Sequence, residues 1–108
     1  MSITFWAPGA GDDLPEMNMA NRNAMDFLEW CGLPKTYGGS VNVVVLKAKL
    51  ALLIAAGVGD EGLPSQRVGN VIDCGREPGY MVEKAKLLFE IADAAHVKQG
   101  DKTVISWG

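Results

Sequence analysis

Few side chains in this chain are of the kinds that do covalent or proton chemistry: Cys31 and Cys74, the single histidine His96, and arginines at 22, 67 and 76. One histidine rules out a His-based zinc cluster, and two widely separated cysteines lack the CxxC spacing of a metal site, so no metal is expected. The chain has no GxSxG, P-loop or GxGxxG set between a strand and a helix, so no catalytic residue or cofactor is assigned. Cys31 falls on the apolar stripe of a helix, where a thiol behaves as a small hydrophobe. Cys74 precedes Gly75, Arg76 and a helix, a setting that lowers a thiol pKa, but it lacks the histidine or HCx5R context of thiol enzymes. His96 stands near a helix C-terminus, where the dipole favours a cation, and is read so in preference to a catalytic base. Asp12, Asp13 and Glu16 have no calcium or magnesium ligand spacing and are read as a solvated turn.

What remains is a pattern of helix starts. Asn18 to Asn23, Tyr37 to Ser40 and Cys74 to Tyr80 each place asparagine, glycine or hydroxyl groups just before a helical stretch. Free backbone N–H groups at a helix N-terminus attract anions, and an arginine adds a planar donor fork. If two such starts share an edge of the domain, Arg22, Arg76, Ser40 and Tyr80, with Asn21, would surround a phosphate or carboxylate. The competing reading is that the asparagines and the serine only cap helices. The run N-x-x-N-x-N-A-x-x-x-L-x-x-x-G-L from Asn18 to Leu33, G-R-x-x-G-Y at Gly75 to Tyr80 and the closing I-S-W resemble small uncharacterised bacterial proteins. That resemblance implies no chemistry and points to the same residues.

The elements that must position these residues are legible from periodicity. Ser40 to Gly57, SVNVVVLKAKLALLIAAG, reads as a helix capped by Ser40, stopped by Gly57 and polar only at Asn42, Lys47 and Lys49. With no broad polar face it is expected to be buried on most sides, the centre around which the fold is organised. It is shorter than the roughly 20 apolar residues of a membrane span and carries two lysines. Ala24, Phe27, Leu28 and Cys31 trace a first helix, capped by Asn18 or Asn21 and ended by Gly32 and Pro34. Met81, Ala85, Leu88, Ala92 and Ala95 trace a third, from Gly79 or Tyr80 to His96. Ser2 to Trp6 and Thr103 to Trp107 read as terminal strands that pair with each other, and Asn70 to Asp73 as a short extended segment. Gly57 to Gly69 is the longest irregular stretch, the kind of loop that is functional or mobile.

The fold expected is therefore α+β: three helices around an apolar central one at about 40–57, with a small sheet that includes the paired terminal strands. A chain of 108 residues is one domain with one core. A net charge of −3 with scattered basic residues gives no stripe for a phosphate backbone, so nucleic acid is not an expected partner. The N-terminus has neither a basic region nor a long apolar run, and the reading is a cytoplasmic protein. Lacking a nucleophile, metal set or acid/base pair, it reads as a non-enzymatic binding or regulatory domain. Its partner would be another protein or itself, through Phe5, Trp6, Trp107 or a helix face left uncovered. The alternative is a module capturing a phosphate-bearing metabolite or nucleotide at the helix starts.

Overall fold

The computed structural model describes residues 2–9, 14–69, 71–73 and 75–108. Asp12, Asp13 and Cys74, discussed above, lie outside the described residues. In chain order the elements are β1 (Ser2–Trp6), β2 (Met17–Ala20), α1 (Asn21–Trp30), β3 (Gly39–Asn42), α2 (Val43–Ala56), β4 (Gln66–Val68), β5 (Val71–Asp73), α3 (Tyr80–Gln99) and β6 (Val104–Trp107). The fold is α+β. Four antiparallel strands lie in the order β2-β1-β6-β3, and β4 and β5 form a separate hairpin. The terminal strands pair as expected, Phe5 opposite Trp107 and Trp6 opposite Ser106. They form the middle of the sheet, because β2 and β3 take its edges.

Alternation along the strands decides what the sheet covers. Ile3, Phe5, Met17, Met19, Ile105 and Trp107 point inward and are buried, against Ala24, Phe27 and Leu28 of α1 and the inner stripe of α3. Phe5 meets Phe27 edge to face, with centroids 5.8 Å apart at 82°. Trp107 lies over Gly39, where an added Cβ would come within 2.5 Å of the indole. Its Nε1 donates to Thr36 O at 3.0 Å. Phe5 and Trp107 are thus core residues, not the uncovered surface considered above.

Three local expectations are corrected. Ser40 does not cap α2: it lies in β3, paired with Ser106, because antiparallel pairing to β6 extends the chain as far as Asn42. Asn42 is the cap, its Oδ1 accepting from the Val44 and Val45 amides at 2.8 and 3.3 Å while its Nδ2 donates to Asp101 O. At α1 neither Asn18 nor Asn21 caps. Asn18 sits in β2, binding Ser2 and Thr4 through Nδ2, and the cap position is Ala20, with no side-chain cap bond. The stretch from 57 to 69 carries structure of its own, in β4 and in a bridge between Leu63 and Arg76.

The largest correction concerns α2. Only Val43, Leu46 and Leu50 are buried; Val44, Val45, Ala48, Ala51, Leu52, Ala55 and Ala56 are exposed, Leu52 to 74%. At about 100° per residue these seven fill one continuous arc of about 140°, opposite the buried stripe. The helix has no broad polar face, yet one side of it lies on the outside of the domain.

Candidate functional site

Arg76 is where the sequence placed most weight, and it lies in a strand-like segment held to Leu63 by two backbone hydrogen bonds of 2.7 and 2.8 Å. Its side chain is 11% exposed, and Nη1 donates to Asn23 Oδ1 at 3.1 Å and to Asp26 Oδ2 at 2.9 Å. Helix α1 brings both acceptors to it, Asn23 buried and Asp26 partly exposed. Arg76 Nε is buried with no hydrogen-bond partner. The guanidinium is therefore tied to a carboxylate of the same chain, that of Asp26.

The start of α3 is filled in the same way. Gly79 gives no side-chain cap, but Asp60, two elements earlier, accepts from the Met81 amide through Oδ1 at 2.8 Å and from the Val82 amide through Oδ2 at 2.9 Å. The Gly79 amide donates to Asp60 O at 3.2 Å. A carboxylate on the positive end of a helix dipole is the arrangement expected of an anion site, and here the chain provides the anion. Sequence reasoning missed Asp60 because it is the remote cap of a helix 20 residues away, with no local spacing to mark it. Replacing Asp60 by alanine is expected to lower stability by about 1–2 kcal/mol, the usual loss for an N-cap strengthened by charge. Chemical denaturation checks it, and a loss below about 0.3 kcal/mol would mean that water replaces the carboxylate.

The other candidates are dispersed. Tyr80, the first residue of α3, shares with Arg76, Ser65 and Glu77 a cavity of about 380 Å³. A second cavity, of about 340 Å³, lies on the other side of Arg76, lined by Asp26, Glu29, Trp30 and Met81. Asn21 opens α1 with its Oδ1 buried and unpartnered, and Arg22 is exposed on the same turn. Ser40, on the edge strand, lines neither cavity. Arg76 and Tyr80 are brought together; Arg22, Asn21 and Ser40 do not join them around one cavity.

His96 is engaged at both ring nitrogens. Nδ1 faces the Lys47 ammonium at 3.2 Å and so must accept, which puts the proton on Nε2, 2.5 Å from Asp101 Oδ1. The residue joins α2, α3 and the turn before β6. Lys47 also pairs with Asp93 at 2.6 Å and lies over the Phe89 ring. The hydrogen bond and charge of Lys47 hold the Asp93 carboxyl below its usual pKa. Its contribution to stability is therefore present at neutral pH and lost as pH falls through the folded-state value. Comparing wild type with Asp93→Asn should show a stability gap at pH 7 that closes on acidification; a gap independent of pH would refute the assignment. Cys31 is buried and its thiol is pushed up to about 12 by desolvation, which Lys49 only partly offsets.

Among the described residues no group of three His, Cys, Asp or Glu side chains is placed to hold a metal ion. Among the described residues no helix is long and apolar enough to cross a membrane. Comparisons with protein-family models, with curated proteins and with solved structures each find no match. The class these observations define is a small α+β domain in which Arg76 is paired within the chain to Asn23 and Asp26 and the outward face of α2 is apolar.

Proposed function

We propose that this chain is a non-enzymatic, cytoplasmic interaction domain that acts through protein–protein contact and associates with itself. The observation that carries the reading is the outward face of α2. Seven neighbouring residues on it are apolar and exposed with no polar residue among them, whereas large exposed apolar patches on a soluble domain mark interaction surfaces. A helix of 14 residues with such a face of about 140° presents roughly 300 Å². Stable interfaces bury about 800 Å² per partner, so the association is weak and reversible, of the transient kind. Sedimentation velocity across the micromolar range tests it: the sedimentation coefficient should rise with concentration. A constant monomer value at every concentration removes self-association and leaves only a foreign partner.

A second reading, capture of a small anionic ligand such as a phosphate-bearing metabolite or nucleotide, draws on Arg76 and Tyr80 sharing one cavity. Against it stand the carboxylates of Asp26 and Asp60, which already occupy the guanidinium and the start of α3. Thermal shift against a phosphate and nucleotide panel separates the two, since a ligand at a hundredfold its Kd adds about 2.7 kcal/mol.

A further inference from the structure

We infer that the cavity between α1 and Arg76 binds a small zwitterion, a free α-amino acid with an apolar side chain, its carboxylate on the guanidinium and its ammonium on Asp26. The inference rests on neither reading above. Asp26, Glu29 and Trp30 of α1, with Gly59, Arg76 and Met81, line about 340 Å³, the small end of the range for ligand sites. Their burial grades from rim to floor: the Glu29 side chain is 67% exposed, Asp26 33%, Arg76 11%, and Met81 is buried. The wall at Gly59 is held in place on both sides. Trp30 Nε1 donates to Val58 O at 2.8 Å, and Asp60 accepts from the Met81 and Val82 amides. The site is thus formed before anything enters it, and the Trp30 ring, its N–H already engaged, offers the cavity its apolar face.

The charges choose the ligand. Among the described residues the hydrogen bonds of the Arg76 guanidinium leave from Nη1, to Asn23 Oδ1 and Asp26 Oδ2, while Nε is buried without a partner. A buried, unpartnered N–H of a cation is an incomplete hydrogen-bond set, and the edge formed by Nε and Nη2 has the geometry for a bidentate carboxylate. A simple anion would nonetheless meet two carboxylates, Asp26 and Glu29, against one guanidinium, and a phosphate dianion would meet them with twice the charge. A simple cation would meet the same guanidinium and leave Nε as it is. An α-amino acid carries both charges on either side of one carbon, and Arg76 and Asp26 are themselves neighbours at 2.9 Å. Its carboxylate completes the guanidinium at the floor, its ammonium meets Asp26 and Glu29 toward the rim, and its side chain lies against Met81 and Trp30. Glu29 becomes available by exchanging Lys35, a contact of 3.2 Å between largely exposed groups.

Isothermal calorimetry on the full chain at neutral pH tests this with L-leucine, L-methionine, L-phenylalanine and inorganic phosphate. At least one of the amino acids is expected to bind with a Kd below about 1 mM, within reach of a ligand of roughly ten heavy atoms. For the tightest binder, the matching amine without the carboxylate and the matching acid without the amine should each bind at least about tenfold more weakly. For phenylalanine these are phenethylamine and phenylpropionate. Asp26→Asn keeps an oxygen for Arg76 but removes the charge, and should weaken the amino acid about tenfold. Glu29→Gln should weaken it about threefold, at an exposed position that leaves the fold intact, and it decides the matter if Asp26→Asn does not fold. The inference is overturned if no amino acid binds saturably up to about 10 mM. It is equally overturned if the matching amine or acid binds as tightly as the amino acid, or if variants shown to be folded by far-ultraviolet dichroism bind as wild type does. Phosphate binding without amino acid binding would overturn it in favour of the anion reading.

Discussion

Arg76→Ala should lower the stability of the protein by about 2–3 kcal/mol, with a fall in Tm of roughly 10 °C for a domain of this size. The figure follows from what the guanidinium holds. Its removal strands the carboxylate of Asp26, 33% exposed, and the side-chain oxygen of buried Asn23. Breaking a fully buried pair costs about 3–5 kcal/mol, and the partial exposure of Asp26 lets water recover some of that. The aliphatic stem of Arg76 lines two cavities, so its truncation also loses packing. Arg76→Lys should fall between, since an ammonium keeps the charge without the planar fork. The double change Arg76→Met with Asp26→Leu should be milder than Arg76→Ala, because it leaves no unpaired charge. Denaturant unfolding of the four proteins measures this. A single alanine change costing under about 0.5 kcal/mol would show that the pair contributes nothing, and would leave the whole guanidinium to a ligand.

Leu52→Glu should have the opposite profile, with self-association lost by at least about a hundredfold and stability changed by no more than about 0.5 kcal/mol. Leu52 is mostly in water in the isolated chain, so a glutamate there disturbs nothing the fold depends on. In the associated state the same carboxylate would be desolvated within an apolar contact, without a partner. Sedimentation and thermal melting on one preparation read the two effects separately. A variant that associates like wild type moves the contact away from α2. One that unfolds would show that Leu52 supports the domain itself, contrary to its exposure.

Much of the architecture was legible because it is written in local periodicity. The 3.6-residue repeat of Phe27 and Leu28 in α1 and of Met81, Ala85, Leu88 and Ala92 in α3 places one stripe of each helix in the core, where the structure has it. Gly57 and Gly100 end their helices as glycines do, Gly57 at φ 61° and Gly100 at φ 92°. β-branched and aromatic residues at both ends mark the two terminal strands, and a lone pair of such strands has little choice but to meet.

What the tertiary structure alone decided has a common physical cause, the lack of any local signal. An amphipathic helix announces its buried side by its polar one. α2 has no polar side, so nothing within Val43 to Ala56 says which residues face water; contact with α3 and the sheet chose Val43, Leu46 and Leu50 and left Leu52 outside. The strand β3 has only Gly39, Ser40, Val41 and Asn42, too short and too rich in turn formers to be read as one, and exists because the edge of β6 pairs with it. The partners of Arg76 lie 50 and 53 residues away and that of Met81 lies 21 away. Chain spacing carries no record of such pairs; they form because a buried charge or an uncapped helix start must find its complement wherever the fold brings one within reach.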